Sequence, residues 1–466
     1  KSFNLQPINQ NFIKMARLFK PLFILCLLMI PAFACSPGKR ENVDLKKVAQ
    51  EMEALLMKNM MPVWYLRVID KEYGGYLSNF NYKWEMTGNQ NKMIVTQGRH
   101  LWMCSKMSAF TKDQVYLEYA RHGFLFLRDF MWDKEFGGFF NLVTREGRPI
   151  GENEGQIAKN AYGNAFGIYG LAAYYKESKD EEALDLAKKA FAWLEKGSHD
   201  PVYGGYFQFL NQDGSPVKSG VRGIPPKDQN SSIHLMEALT ELYHVWPDEL
   251  LRERLNEMFL LIRDVLVKDK GYLQLYVNED LSPVSYQDSA KEVHQKSYFL
   301  DHMSFGHDVE TAYLLMEAAE ALGLSEDKKT MEVGKRMVDN AMVNGWDNSS
   351  AGVYDAGYRY KNEQSVTILR DTKNWWAQSE TLNTLLIMSE LYPNDPLNYR
   401  KRFFDQWKFI KDYLIDWEYG DWYSGSLDKE PHAREGTKSN IWKGNYHTGR
   451  TLMNCITRIN AMTSKK

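Results

Sequence analysis

Three histidines of this chain, His234, His307 and His447, are the residues best suited by type and spacing to do chemistry. An imidazole titrates near neutral pH, so it can accept or donate a proton without a cofactor. His234 and His307 are each followed at i+3 by a glutamate, Glu237 and Glu310, and a carboxylate on the same helix face can orient the imidazole and raise its basicity. Any one of these histidines alone is more typical of a capping or core residue. Three at the same phase of a repeat predict acid–base chemistry.

The repeat is marked by the pattern Asp-x-x-x-Gly-Gly-aromatic, which is clearest at residues 70–76, 133–139 and 200–206. Weaker copies follow at 269–272, 347–354 and 418–422. One glycine from each copy, at positions 75, 138, 205, 271, 352 and 420, gives steps of 63, 67, 66, 81 and 68 residues by subtraction. Glycine permits the positive φ of a tight turn and the flanking aromatics suit short strands, so each copy predicts a small hairpin.

The segments between the hairpins have helical periodicity. Residues 184–197 and 309–322 place apolar side chains three and four positions apart, and each period has room for about two helices. Six helix pairs, with one helix of each pair more apolar than the other, can close into an inner and an outer ring. The sequence therefore predicts an all-α fold, an (α/α)6 barrel with short β-hairpins at one end. An open solenoid is the alternative.

A second series of residues runs in step with the hairpins. The second helix of each repeat is predicted to begin near these positions: Arg99, Tyr162, His234, His307, Trp376 and His447. In a closed ring the amino ends of these helices meet at one end, so Arg99, Trp376 and the three histidines are expected to face a common cavity. The positive ends of the helix dipoles meet there as well, which favours an anion.

Five segments carry a family resemblance. Residues 97–99, 230–238, 304–310, 375–380 and 442–450 resemble, in order, the motifs of the N-acylglucosamine 2-epimerase superfamily, and most closely its cellobiose and mannobiose 2-epimerase branch. The resemblance covers roughly residues 45–460 and implies an (α/α)6 barrel. Three places depart from the family pattern: Asn374 where histidine is common, Ala377 where proline is expected, and Gly444-Asn445 in place of Cys-Pro.

The resemblance implies epimerisation at C2 of a reducing sugar through ring opening, C2 deprotonation and a cis-enediolate. On this basis His307 and His447 are the acid–base pair, Arg99 holds the oxygen that becomes anionic, and His234 contacts the sugar hydroxyls or assists ring opening. Glu310 is expected to orient His307. The residues expected to bind the substrate are Trp375, Trp376, Trp442, Tyr446, Asn230 and Glu380. No metal and no other cofactor is expected.

Other functions remain open at this point. The same site could act on an N-acylated amino sugar, or could reprotonate the enediolate at C1 and so isomerise an aldose to a ketose. A glycoside hydrolase on the same barrel would need two carboxylates instead of two histidines. A glycan-binding lipoprotein without catalytic activity would need neither the two carboxylates nor the two histidines. The sequence does not fix the sugar, the oligomeric state (monomer or homodimer) or regulation by a nucleotide.

Composition narrows the range of partners. The net charge is −2 with acidic and basic residues interspersed, so neither nucleic acid nor an anionic membrane surface is an expected partner. Aromatic residues make up 14% of the chain and include 13 tryptophans, a content that suits stacking on sugars. A small reducing sugar or disaccharide is the expected partner.

The amino-terminal region is predicted to be a targeting segment. A basic start at residues 15–20, an apolar run at 22–30 and small residues before Cys35 are typical of a bacterial lipoprotein signal, with Cys35 as the lipidated residue. Residues 1–35 are therefore assigned to an upstream extension and signal peptide, 36–44 to a linker and 45–463 to the catalytic domain. Export to the periplasm or outer membrane, with or without the lipid anchor, is the expected location. Cys104 and Cys455 are then left, with no spacing that indicates a metal site.

Overall fold

The structure is a computed structural model that describes residues 37–151, 158–361 and 363–464. Its central element is a ring of six helices. They are α3 (Ile94–Thr111), α5 (Ala161–Ser178), α7 (Gln229–Tyr243), α10 (Phe305–Ala321), α12 (Trp375–Leu391) and α14 (Tyr446–Ser464). Each helix contacts the next in this order, and α14 contacts α3, so the ring is closed. These helices are apolar on most sides because they are covered both by their neighbours and by an outer layer. The prediction of an (α/α)6 barrel is confirmed, and the open solenoid is excluded.

The outer layer consists of more amphipathic helices. They are α4 (Gln114–Phe126), α6 (Glu181–Gly197), α8 (Glu249–Leu261), α11 (Lys328–Asn340) and α13 (Tyr399–Tyr413), which pack on α3, α5, α7, α10 and α12 respectively. In α6, for example, Ala187, Phe191 and Leu194 are buried on one face, and lysines and glutamates occupy the other.

The sixth outer position is filled from the amino-terminal side of the chain. Helices α1 (Pro37–Ala54) and α2 (Met61–Tyr65) are joined by a π-helical turn over Leu55–Met60. Lys411 of α13 pairs with Glu51 of α1 at 2.7 Å, and Tyr119 of α4 stacks on Tyr65 of α2. A short helix α9 (Lys291–Lys296) lies in the longest repeat.

The structure bears on only one of the two predictions about the amino terminus, the linker and not the signal peptide. Residues 1–36, which include the predicted signal peptide and Cys35, lie outside the described residues. The segment 36–44 was predicted to be a linker, but helix α1 begins at Pro37 and includes the rest of this segment. Proline suits the first turn of a helix, and after Gly38 no helix breaker interrupts the segment. Leu45–Lys466 is assigned to one compact unit. None of the helices described is both long enough and apolar enough to cross a membrane.

Among the described residues, nine short strands lie in the loops that precede the inner helices. Three of their pairs join neighbouring repeats, and two lie within one loop. They are β1 (Lys92–Met93), β2 (Leu142–Val143), β3 (Pro149–Ile150), β4 (Lys159–Asn160), β5 (Phe209–Leu210), β6 (Lys227–Asp228), β7 (Tyr276–Val277), β8 (Ala356–Tyr358) and β9 (Thr367–Arg370). All pairs are antiparallel, in the order β1-β2-β3, β4-β5, β6-β7 and β8-β9. Since β1, β4 and β6 run directly into α3, α5 and α7, the strands lie at the amino ends of the inner helices.

The six predicted hairpin turns are all present. A single antiparallel bridge closes each one: Ile69–Tyr76, Trp132–Phe139, His199–Tyr206, Val267–Leu273, Trp346–Val353 and Ile415–Trp422. The paired glycines have φ between +65° and +84°. Ala351 (φ +70°) and Asp421 (φ +62°) adopt the same left-handed conformation where the fifth and sixth copies lack a glycine. The sixth copy begins at Asp416 and not at Glu418, because Asp416 accepts the closing hydrogen bond from Gly420 N.

A buried lysine fastens each of five turns to the inner helix that follows. The turn lysines, as we call them, and their aspartates are Lys92–Asp70, Lys159–Asp133, Lys227–Asp200, Lys373–Asp347 and Lys438–Asp416, at 2.6–2.9 Å. The ammonium of Lys159 also donates to the carbonyls of Gly137 and Gln212, the latter in the next repeat. Each turn lysine follows its aspartate by 22 to 27 residues in the sequence, a regularity that the motif analysis missed. These contacts hold the amino ends of the inner helices in place.

Loss of one turn lysine is expected to be costly. Lys159→Met leaves the buried Asp133 carboxylate without its counter-ion, so we expect the free energy of unfolding in urea to fall by about 3–5 kcal/mol. Lys401→Met is the matched control, because Lys401 pairs with Asp405 on the exposed face of α13 and should cost less than about 1 kcal/mol. Equal losses in the two variants would show that the turn lysines have no special role.

Candidate functional site

The residues predicted to converge do lie at one end of the barrel, in the first two turns of the inner helices. The ring centroids of His307 and Trp376 are 4.6 Å apart, and those of Trp376 and His447 are 5.7 Å apart. Trp376 therefore contacts both imidazoles. On the other side, the ring of Tyr446 contacts His447 at 4.8 Å. Residues that are far apart in the sequence thus form one continuous surface.

His447 is held by a buried carboxylate. Its Nδ1 lies 2.6 Å from Glu380 Oε1, and the Tyr313 hydroxyl donates to Glu380 Oε2 at 2.7 Å. A carboxylate at Nδ1 fixes the proton there and leaves Nε2 as the basic nitrogen. Glu380 was expected to bind substrate, and the structure places it elsewhere. It lies one helical turn deeper than Trp376, is fully buried and orients His447.

His307 has different partners from those expected. Its Nδ1 lies 2.8 Å from Ser304 Oγ and 3.4 Å from Gln229 Nε2. The expected contact with Glu310 is not among the hydrogen bonds of the described residues, so the prediction that Glu310 orients His307 is wrong. Both residues do share a helix face, but the imidazole turns back toward the first turn of α10, and Glu310 is drawn to an arginine on another helix.

That arginine, Arg450, is the centre of the site and was not selected from the sequence. Its Nη2 donates to Glu310 Oε1 at 2.5 Å and to Glu380 Oε1 at 2.7 Å, and its Nη1 donates to Glu237 Oε1. Glu237 in turn binds His234 Nδ1 through Oε2 at 2.8 Å. One guanidinium on α14 thereby connects α7, α10 and α12.

Tyr446 belongs to the same network. Its hydroxyl donates to Glu237 Oε1 at 2.5 Å, and the Arg450 guanidinium lies 4.5 Å from its ring centroid. Tyr446 was expected to contact substrate, but its hydroxyl is already used and its side chain is buried. The sequence signal for Arg450 was its position three residues after His447, which puts both side chains on one face of α14.

The arrangement of these groups resembles a cation site. One ligand atom from each of Glu310, Glu380 and His447 lies within 4.8 Å of the other two. Arg450 Nη2, however, lies within hydrogen-bonding distance of both carboxylates. The guanidinium therefore supplies the positive charge that a metal ion would bring.

Arg99 lies beside His234 on the aromatic side of the site. Its Nη2 donates to the Tyr162 hydroxyl at 3.0 Å, and its guanidinium carbon is 4.3 Å from the Phe166 ring centroid. The Phe166 ring also contacts His234, with centroids 4.9 Å apart. The side chain forms no salt bridge within the described residues, so its charge is available to an anion at the amino ends of the helices.

The remaining residues predicted to bind substrate differ in position. Trp442 is 54% exposed at the rim, and its carbonyl accepts a hydrogen bond from Arg99 Nη1 at 3.5 Å. Asn230 lies beside Tyr162, the partner of Arg99. Trp375 packs near the Lys443 ammonium, 5.7 Å from its ring centroid, and makes none of the ring contacts of the site.

Two of the departures from the family pattern have structural roles here. The Asn374 side chain caps α12 by accepting from Ala377 N at 3.0 Å, and Asn445 contacts the Tyr65 hydroxyl.

Burial controls the charge of the imidazoles. It lowers the pKa of His307 to about 3, with the neighbouring His234 adding to the shift. Burial also lowers the pKa of His447, with Arg99 and Arg450 contributing, and the pKa of His234. All three imidazoles are therefore neutral near pH 7 and able to accept a proton.

The carboxyl groups around Arg450 differ in pKa. Burial, together with the charge of Glu380, raises the pKa of Glu310 above its ordinary value, and the Arg450 guanidinium opposes this shift. Burial also favours protonation of Glu237, but Arg450 and the hydrogen bond from His234 outweigh it and lower the pKa of Glu237 to about 2.

Comparison with known proteins shows the family of this chain. The model of the family described as N-acylglucosamine 2-epimerase (GlcNAc 2-epimerase) matches residues 75–449. The chain is 26% identical over 425 residues to a cellobiose 2-epimerase of Dictyoglomus turgidum, covering 90% of this chain and 100% of that one. It is 28% identical over 417 residues to a cellobiose 2-epimerase of Bacteroides fragilis, covering 87% and 98%. The solved cellobiose 2-epimerase of Bacillus thermoamylovorans superposes with a TM-score of 0.75 at 25% identity, covering 88% and 99%.

Removal of Arg450 should destabilise the protein in a pH-dependent way. In Arg450→Met the buried carboxyl groups lose their counter-ion, so the folded-state pKa of Glu237 rises from its lowered value and those of Glu310 and Glu380, already raised by burial, rise further above the unfolded values. The folded variant then binds more protons than the unfolded chain, and its stability falls as pH rises above about 4.5. We expect a loss of about 3–5 kcal/mol in urea unfolding at pH 7.5 and a smaller loss at pH 5. The control Arg458→Met, at a half-exposed pair with Glu390, should show a small loss that is the same at both pH values. A loss for Arg450→Met that did not depend on pH would contradict the network.

Proposed function

This chain belongs to the N-acylglucosamine 2-epimerase family, and on that premise we propose that it interconverts the glucose and mannose forms of the reducing-end unit of a β-1,4-linked disaccharide of the cellobiose or mannobiose type. It is an isomerase. The observation that carries the proposal is the placement of two neutral imidazoles, His307 and His447, in contact with the same ring, Trp376, while the Arg99 guanidinium lies over Tyr446, which contacts His447.

The proposed reaction begins with ring opening, which exposes the C1 aldehyde. His234 hydrogen bonds to the sugar hydroxyls and assists this step. His447 then accepts the C2 proton through Nε2, and the C1 oxygen becomes anionic, giving a cis-enediolate. Arg99 stabilises that oxygen by charge-assisted hydrogen bonds, which is where electrostatic stabilisation contributes most.

Inversion requires that a proton return to the opposite face of C2. The anionic oxygen raises the pKa of the nearby His307, which takes up a proton from solvent and delivers it to C2. The C1 carbonyl re-forms, His447 releases its proton to solvent, and the atoms balance. The reverse reaction uses the same two imidazoles with their roles exchanged. Glu380 supports His447 in this cycle because a carboxylate at Nδ1 stabilises the imidazolium.

Trp376 and Trp442 are proposed to provide the apolar surfaces for the sugar. Trp376 contacts both imidazoles, and Trp442 is exposed at the rim, where its carbonyl accepts a hydrogen bond from Arg99. This places one aromatic surface near the reducing unit and another farther out. Two surfaces at different depths suit a disaccharide better than a single hexose.

The alternatives have less support from the geometry. A glycoside hydrolase needs two carboxyl groups facing the substrate, whereas Glu237, Glu310 and Glu380 are all bonded to Arg450. A glycan-binding protein has no need of two opposed bases. Epimerisation of an N-acylated amino sugar and aldose–ketose isomerisation would use the same enediolate, so the product analysis below must distinguish them.

We further propose that the protein is exported and anchored by a lipid on Cys35. The support is the sequence of residues 15–35 alone, with its basic start, short apolar run and small residues before the cysteine. Such a location would place the enzyme where oligosaccharides are released before uptake.

Solvent exchange tests the proposed chemistry. We expect cellobiose or mannobiose incubated with the protein in D₂O to acquire deuterium at C2 of both epimers, as observed by NMR. His307→Ala and His447→Ala should each reduce this exchange by at least about 100-fold, which is the typical contribution of a positioned acid or base. His432→Ala, at a side chain that is 82% exposed, is the control and should be unchanged. Deuterium at C1 of a ketose would indicate isomerisation, and full activity in either alanine variant would exclude that histidine.

Metabolic labelling tests the lipid anchor. Cells that express the full chain should incorporate a labelled fatty acid into the protein, and Cys35→Ser should not. Cys104→Ser keeps Cys35 and removes a buried free cysteine instead, so it is expected to retain the label. Equal labelling of the native and Cys35→Ser proteins would exclude lipidation at this residue.

A further inference from the structure

The opposite end of the barrel holds a cavity that the proposed reaction does not use. The carboxyl-terminal halves of the six inner helices enclose a pit of about 940 Å³, which we call the C-terminal pit. Each inner helix contributes to its lining: Trp102, Tyr169, Glu241, Glu317, Asn383 and Arg458 represent α3, α5, α7, α10, α12 and α14. Binding sites for small molecules in proteins have volumes on the order of 300–1,000 Å³, and the volume of the C-terminal pit lies within this range. The pit is about large enough to hold an oligosaccharide.

Two stacked aromatic side chains form part of the deep wall of this pit. The rings of Trp102 and Tyr169 are nearly parallel, with an interplanar angle of 10° and centroids 5.3 Å apart. Both side chains are at least nine-tenths buried, so their positions are fixed by the packing of α3 against α5. Because the rings cover one face of each other, the pair forms a rigid apolar wall, against which a ligand packs at little cost in conformational entropy.

Polar groups without a partner line the same depth of the pit. Trp102 Nε1, Asn383 Nδ2 and Arg450 Nε have no hydrogen-bond acceptor among the described residues, although these residues are only 5%, 1% and 3% exposed. A buried N–H group without an acceptor costs about 1–3 kcal/mol. The Asn383 amide can turn either its oxygen or its nitrogen toward the pit. These groups favour a ligand that carries oxygen atoms to this depth.

The rim carries charges of both signs. Lys106 pairs with Glu241, and Arg458 pairs with Glu390. In the part of the chain that the structure describes, the pit-lining residues Lys176, Glu317 and Glu320 form no ion pair. Burial raises the pKa of Glu317 to about 7, so this carboxyl group can donate or accept a hydrogen bond near neutral pH. A hydroxyl group can bond to it in either state and can also accept from an ammonium or amide.

We propose that the C-terminal pit is a second binding site, for a neutral polyhydroxylated ligand of the carbohydrate class. The stacked Trp102–Tyr169 pair supports one face of the ligand, Asn383 bonds to its hydroxyls at depth, and Lys176 and Glu317 do so at the rim. The site does not depend on the proposed epimerisation. It is nevertheless connected to the histidines, because Arg450 and Glu237 line the pit and also belong to the network that holds His234 and His447.

Calorimetric titration with cellobiitol, the reduced form of cellobiose, tests the proposal, since this probe has no aldehyde and is not converted. We expect two binding events in the full protein. Asn383→Leu should weaken one event at least 10-fold, and Ala109→Trp, which fills the pit from the wall of α3, should abolish the same event without removing a buried polar group. Asn340→Leu is the matched control, because Asn340 is also a buried asparagine with an unpartnered Nδ2 but lies on α11, outside the pit. It should retain both events.

The outcomes separate this proposal from the proposed function. Trp376→Ala should remove the other binding event and leave the pit event intact. A single event in the full protein that is lost in Trp376→Ala and unchanged in Asn383→Leu and Ala109→Trp would overturn the second site. A pit event that persists in a protein showing no deuterium exchange at C2 of any sugar would uphold the second site and contradict the epimerase.

Discussion

One buried arginine governs the arrangement of the site. Arg450 lies at the middle of the helix ring and binds carboxylates from three other inner helices, although it is 213 residues from Glu237 and 140 from Glu310 in the sequence. A charge removed from water is tolerated only when it is paired and hydrogen bonded, so the guanidinium and the carboxylates require each other. Because Glu237 also holds His234, and Glu380 also holds His447, satisfying this network fixes two of the three imidazoles.

The two ends of the barrel are built for different tasks by the direction of the inner helices. All six amino ends face one way, and there the turn lysines, the short strands and the hairpin turns hold them rigidly. The positive ends of the helix dipoles and Arg99 make this end suitable for an oxygen that becomes anionic. The carboxyl ends face the other way and enclose a pit of mixed charge. Arg450 lies between the two ends and is in contact with both.

The two proposed acid–base histidines are not equivalent. His447 is bonded at Nδ1 to a carboxylate, whereas His307 is bonded to a hydroxyl and an amide. The carboxylate stabilises an imidazolium more than the hydroxyl does, so His447 has a partner at Nδ1 for its protonated form that His307 lacks. Burial keeps both neutral in the free protein, and charge arrives only with the reaction. A substrate that becomes anionic between them therefore alters their pKa values at the moment when proton transfer is needed.

The sequence by itself determined the repeat, the hairpin turns, the pairing of helices and the equal phase of Arg99, His234, His307, Trp376 and His447, but it left a closed ring and an open solenoid both possible. These features depend on local rules, namely glycine in tight turns, apolar periodicity and equal phase in successive repeats. Only the tertiary structure decided that Glu310 binds Arg450 and not His307, that Glu380 and Tyr446 lie beneath the site, and that lysines fasten the turns. A spacing of three or four residues puts two side chains on one helix face, but it does not say which partner on another helix competes for them. In this protein the competing partner is the buried guanidinium of Arg450, which pairs with Glu310 in place of His307.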